Sequence, residues 1–160
     1  MSNPNNNPLM PNRFDASLLD AALETFASMA FFFPADGTGQ RPAVNSVRAS
    51  VTFKGPMCGT LWLAVDAAML TPLAANLLGL DDDQFPSTQQ QQDSLKELLN
   101  VICGNLLPII DTPQAVYDVG SPRILAVDTP PIAMSHLCGQ ASLAMDEGQA
   151  HLTLFLDDEA

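Results

Sequence analysis

From Val47 the chain alternates strictly. Val47, Ala49, Val51 and Phe53 are apolar, and Arg48, Ser50, Thr52 and Lys54 between them are polar. A period of two predicts a half-buried strand. The turn Gly55-Pro-Met-Cys-Gly59 leads to Leu61, Leu63 and Val65, a second strand antiparallel to the first. Before this pair the period is helical. Leu19, Leu23, Phe26 and Ala30 recur in steps of four and three, predicting a helix from Asp15 to about Phe33, with Asp15 as its cap and Phe33-Pro34 and Asp36-Gly-Thr-Gly39 as its stop. After it, Asp66 opens a helix through Leu78 that Gly79 ends. A polar connector, Asp81 to Gln92, precedes a longer helix reaching about Ile110. Its apolar stripe is Leu95, Leu98, Leu99, Ile102, Leu106 and Ile109, and Pro108 bends or ends its last turn. Thr112 to Pro131 reads as loop with one strand near Ile124 to Val127. The C-terminal part reads as a hairpin, Met134 to Met145 and His151 to Leu156, turning at Asp146 to Gln149.

The pattern carries an internal echo. Asp20, Glu24 and Ala27 match Asp93, Glu97 and Asn100 at an offset of 73, and Leu61 to Asp66 resembles Leu152 to Asp157 at an offset of 91. Each half is then a long helix followed by a hairpin. The expected fold is α+β in two layers: one mainly antiparallel sheet with two long helices packed on it, related by a pseudo-twofold internal repeat.

Composition narrows what such a domain can do. At 160 residues and 47% hydrophobic content the chain fits one domain, 13–160, behind a flexible tail, 1–12, rich in asparagine and proline. A net charge of −12 argues against binding nucleic acid or an anionic membrane surface, both of which need basic patches. The tail has no basic residue and no apolar centre, unlike a secretory signal, and no stretch approaches the ~20 apolar residues of a membrane span. Cys58, Cys103 and Cys138 are odd in number and lack paired spacing, which fits reduced thiols and a cytoplasmic protein.

Familiar catalytic motifs are missing: no glycine-rich phosphate loop, no nucleophile elbow, no His-Glu-x-x-His. His136 and His151 fall in strand patterns and read as sheet residues, Cys103 as a core filler, and Asp81 to Asp83 as a solvated turn. One constellation differs. Asp93, Glu97, Asn100 and Gly104 lie in steps of four, three and four, on a single helix face opposite the apolar stripe. Glycine in a helix interior costs about 1 kcal/mol relative to alanine. Two readings stand open: an ordinary polar face with Gly104 admitting a neighbouring element, or a flat floor that another molecule approaches closely.

Glu97-Leu-Leu-Asn100-Val-Ile-Cys-Gly104-Asn105, preceded by Asp93, resembles the signature of the CheC/CheX/FliY family of chemotaxis phosphatases, closest to CheX-like members. Phe53-x-Gly55-x-x-x-Gly59-x-Leu61-x-Leu63 and Ala75-Asn-Leu-Leu-Gly79 resemble the hairpin and following helix of that family, so the likeness spans about residues 14–157. One departure is a proline that the family's spacing places at 123, where this chain has Arg123 after Pro122. The resemblance implies a phosphatase that hydrolyses the aspartyl phosphate of a CheY-type receiver domain. Asn100 would orient the water and Glu97 would pair with the receiver's lysine, with Asp93, Gly104 and Asn105 supporting the site. The receiver would bring the magnesium ion, so no cofactor or metal is expected in this chain. It also implies a homodimer. Ala27, where the first half would need its asparagine, implies one working site per chain. A non-catalytic receiver-binding or flagellar-switch-like module is the alternative on the same face.

Overall fold

The computed structural model describes residues 12–35, 45–130 and 135–157. The expected tail up to residue 11, the stop at Asp36 to Gly39 and the first residue of the C-terminal hairpin, Met134, lie outside these residues. Six strands form one antiparallel sheet: β1 (Ser46–Lys54), β2 (Gly59–Asp66), β3 (Asp118–Val119), β4 (Arg123–Ile124), β5 (Ser135–Met145) and β6 (Gly148–Asp157). The order is β3-β1-β2-β6-β5, with β4 pairing β1 beside β3. Helices α1 (Asp15–Thr25), α2 (Leu70–Leu78) and α3 (Thr88–Ile110), with one π turn and one 3₁₀ turn, complete the described elements. The alternation read in β1 and β2 decides which face is covered: Ala49, Val51, Phe53, Leu61, Leu63 and Val65 are buried with Leu152 and Leu154 of β6.

The expected repeat is present in the topology. β2 and β6 pair antiparallel from Gly59 to Val65, and Trp62, at the midpoint of that ladder, faces Thr153. An offset of 91 relates those same two residues, so the pseudo-twofold axis passes between them. α1 packs on β5 and α3 on β1, each helix crossing to the outer strand of the other half.

The first helix departs from its expected phase and length. Of the expected stripe Phe26 and Ala30 are buried, but Leu23 is only partly so and Leu19 is 36% exposed; Leu18, Ala21, Ala22 and Thr25 are buried in their place. Thr25 hides in the core because its hydroxyl donates to the Ala21 carbonyl (2.7 Å), a partner that apolar periodicity does not reveal. The α-helix stops at Thr25 and continues as one π turn, Phe26–Ala30, instead of running to Phe33. Phe31 then takes a left-handed conformation (φ 58°), strained for a bulky residue, and this turns Phe32 back to stack on Phe26 at 6.3 Å. Asp15 does not cap either. It is the first helical residue, and its carboxylate accepts the Asn12 and Gln140 amides (both 2.8 Å), tying α1 to β5. Gly139 permits that approach: a Cβ there would lie 2.9 Å from Leu18.

Other boundaries shift for local reasons. Asp66 ends β2 and accepts the Gln149 amide (2.8 Å). A short 3₁₀ turn, Ala67–Met69, precedes α2, whose Pro72 suits only a first turn. Gly79 caps α2 in the left-handed conformation expected of it (φ 66°). The loop strand is only Arg123–Ile124, with β3 unforeseen, and the final turn is two residues, Asp146 and Glu147.

Candidate functional site

α3 starts where Ser87 and Gln90 cap each other: the Ser87 hydroxyl accepts the Gln90 amide (3.1 Å) and the Gln90 side chain accepts the Ser87 amide (2.8 Å). From there the helix buries Leu95, Leu98, Leu99, Ile102, Cys103, Leu106 and Leu107. Leu99 and Cys103 are thus core, and burial pushes the Cys103 thiol up to about 12. Ile109, expected in the stripe, is 48% exposed, and in the last turn Leu107 and Ile110 pack on the core instead.

The opposite face is the one the spacing singled out. Asp93, Glu97 and Gly104 are exposed and Asn100 is half-buried. A Cβ added at Gly104 would meet nothing within 4 Å. No neighbouring element among the described residues therefore uses the missing side chain, and the packing reading of Gly104 fails. What remains is open backbone one turn beyond Asn100.

The facing wall comes from a segment that periodicity read as loop. β3 and β4 both pair with β1, Val119 opposite Phe53 and Ile124 opposite Ala49, so the added edge carries one residue more than β1 across this stretch. That bulge pushes Gly120 to Pro122 towards α3. The Gly120 amide donates to the Thr52 carbonyl (2.8 Å), and a Cβ on Gly120 would lie 2.9 Å from the Thr52 hydroxyl. Beyond β4, Arg48 on the other face of the sheet donates to the Ala126 (2.9 Å) and Val127 (2.8 Å) carbonyls. Tyr117 supports the near end, donating to Asp111 (2.6 Å) and standing edge-on to Phe53. Burial, then the Asp111 bond, push its hydroxyl up to about 12. The result is an open groove of about 380 Å³ lined by Asp93, Lys96, Glu97, Asn100 and Val119 to Pro122. Pro122, one position short of the expected spacing, is in the wall.

Asp93 accepts from Gln89 (2.8 Å) and pairs with Lys96 (3.2 Å). These contacts, the Gln89 bond first, hold its carboxyl below the usual carboxylate range. Asn105 does not reach the groove. It points inward and donates to the Thr25 hydroxyl (3.0 Å), joining α3 to α1. In the first half, Asp20 and Glu24 are exposed and Ala27 falls inside the π turn. Sequence reasoning missed Lys96 and the Val119 to Ser121 wall; Lys96 could have been found as the basic residue one turn before Asn100. Among the described residues no group of three or more His, Cys, Asp and Glu side chains is placed to hold a metal ion, and no helix is long and apolar enough to cross a membrane.

The groove offers carboxylates, an ammonium and an amide to an approaching surface, with the open Gly104 backbone one turn beyond Asn100. Comparison with known proteins gives it a context. No curated protein sequence matches the chain. The CheX protein of Desulfovibrio desulfuricans superimposes with a TM-score of 0.70 at 17% identity, over 89% of this chain and 97% of that one. A CheX-CheY-BeF3-Mg complex from Borrelia burgdorferi matches with a TM-score of 0.68 at 18% identity, over 89% and 97%. Thermotoga maritima FliY matches with 0.55 at 13%, over 88% and 84%. At these identities the structures speak for the fold. The sequence model of the chemotaxis phosphatase CheX, however, matches residues 47–135, more than half of the chain and all of the groove. The chain belongs to the CheX family of chemotaxis phosphatases.

Proposed function

We propose that this chain hydrolyses the aspartyl phosphate of a CheY-type receiver domain, with the groove between α3 and Gly120 to Pro122 laid over the phosphorylation site. The observation that carries the reading is the α3 face: an exposed Glu97, a half-buried Asn100 and a Gly104 backbone that no described residue covers. The Borrelia burgdorferi relative, solved with CheY, BeF3 and Mg, supports the choice of partner.

Phosphoryl transfer asks for positioning and charge neutralisation more than for covalent help. An amide accepts a hydrogen bond from the water through its oxygen and donates through its nitrogen to a phosphoryl oxygen, without titrating near neutral pH. Asn100 would hold the water in line with the scissile bond. Glu97 would pair with the receiver's lysine and so seat the groove on the receiver. Magnesium would come with the receiver. The family likeness also implies a homodimer.

The test is the lifetime of phosphate on a receiver from the same organism. The protein should shorten it, and Asn100→Ala should remove most of the acceleration, on the order of 10²-fold, while circular dichroism stays unchanged. Full activity in that variant refutes the mechanism. Binding without any change in lifetime favours the non-catalytic module. Light scattering reads the oligomeric state.

A further inference from the structure

Basic side chains are scarce in this protein, six in 160 residues, yet one of them lines the groove. Lys96 precedes Glu97 and stands one helical turn before Asn100, so its side chain and the amide are neighbours along the helix surface. Its ammonium rests 3.2 Å from the Asp93 carboxylate, whose same oxygen accepts from Gln89 at 2.8 Å. Exposure differs within the pair: the Lys96 side chain is 32% accessible and that of Asp93 56%, so the lysine is the more enclosed partner. An exposed ion pair of this kind is weakly held, and a stronger anion competes for the lysine readily.

The charges in the groove pose a problem that this lysine solves. Asp93 and Glu97 face an incoming phosphoryl group, and the proposed pairing of Glu97 with the receiver's lysine draws that cation's field away from the phosphoryl oxygens. Electrostatic stabilisation of those oxygens is where phosphoryl transfer is won. A cation one turn from the water-holding amide restores what Glu97 removes.

We infer that Lys96 is a further catalytic residue of this groove, its ammonium leaving Asp93 to bind a non-bridging oxygen of the receiver's phosphoryl group. The inference rests on the phosphatase reading. In the step it serves, the water oxygen bonds to phosphorus as the aspartyl oxygen–phosphorus bond breaks. The bonding pair stays on the receiver's carboxylate, and the water with both its protons ends in inorganic phosphate. Lys96 keeps its protons throughout and supplies charge. Asp93 acts as its parking place, positioning the ammonium and keeping it from blocking Asn100 before the receiver docks.

The experiment is steady-state dephosphorylation of a CheY-type receiver, phosphorylated with phosphoramidate, by wild type, Lys96→Met, Lys96→Arg and Asn100→Ala. Lys96→Met should lower kcat by ~10-fold or more with KM within ~3-fold, and Lys96→Arg should restore most of kcat. Unchanged melting temperatures should accompany both, since the side chain lies at the surface. A Lys96→Met enzyme with wild-type kcat overturns the inference, as does an effect confined to KM, which would mean the charge serves encounter alone. If Asn100→Ala is inactive while Lys96→Met is fully active, the inference alone falls. If wild type leaves phosphate lifetime unchanged, the phosphatase reading falls and the inference with it.

Discussion

Replacing Gly104 with alanine should make this protein more stable and less active at once. The position is interior to α3, which runs from Thr88 to Ile110, and exposed. The new methyl group meets nothing within 4 Å, so no steric term offsets the gain in helix propensity. That gain is ~0.8–1.0 kcal/mol, which for a domain of this size raises the melting temperature by ~2–4 °C. The same methyl stands where the receiver's surface would come against bare helix backbone, one turn beyond Asn100. Holding the two molecules even ~1 Å apart costs up to ~10²-fold in a reaction that depends on positioning. Urea denaturation gives the first quantity and receiver dephosphorylation the second. Stability that fails to rise refutes the open-space argument. Activity that survives a confirmed gain in stability shows that the partner does not approach Gly104.

Two further outcomes follow from the groove's supports. Arg48→Ala removes the guanidinium bonds to the Ala126 and Val127 carbonyls and should lower stability by ~1–2 kcal/mol, with hydrogen exchange rising first in residues 123–129. Arg48→Lys should recover only part of this, because lysine lacks the second nitrogen that donates to the Thr129 carbonyl (3.4 Å) and the planar group that lies over Trp62. Uniform exchange after the substitution would contradict the anchoring role. Alkaline pH should also destabilise the fold. Cys103 and Tyr117 both titrate higher when folded, about 12 against ordinary values of 9.0 and 10.0. Their contribution is complete below the unfolded values and is lost as pH rises from 9 towards 12, because the unfolded chain ionises first. Denaturant midpoints across that range should fall, and Cys103→Ala should flatten part of the decline; a level profile would refute it.

The α3 half of the groove was legible in the sequence and the other half was not, and the reason is physical. Asp93, Glu97, Asn100 and Gly104 share a face because helix geometry is local: three spacings decide it. Leu61, Leu63 and Val65 were equally plain, since alternation is a property of consecutive residues. The opposing wall exists only through pairing with β1, and strands of two residues, Asp118–Val119 and Arg123–Ile124, have no period to detect. Asn105 shows the same limit from the other side. It sits next to Gly104 in the motif, but a rotation of about 100° sends it to Thr25, and only the packed helices show what it binds. The phase of the first helix was misread because Thr25 is polar and buried, whereas Leu19 is apolar and exposed.

The π turn in the first half has an evolutionary consequence. A duplicated site that had lost only its asparagine could regain it through one substitution, and a chain with two receiver-facing surfaces would lie a single step away. Here the position is Ala27, and Thr25 and Phe26 before it keep α-helical dihedrals, so an asparagine there would stand in register with Glu24. The residue that answers Gly104 at the offset of 73 is Phe31, beyond the π turn, left-handed and 62% exposed. Phe32, stacked on Phe26, holds that geometry in place. Restoring the amide alone would leave a phenylalanine where the other half has bare backbone, so the loss of symmetry acts as a ratchet.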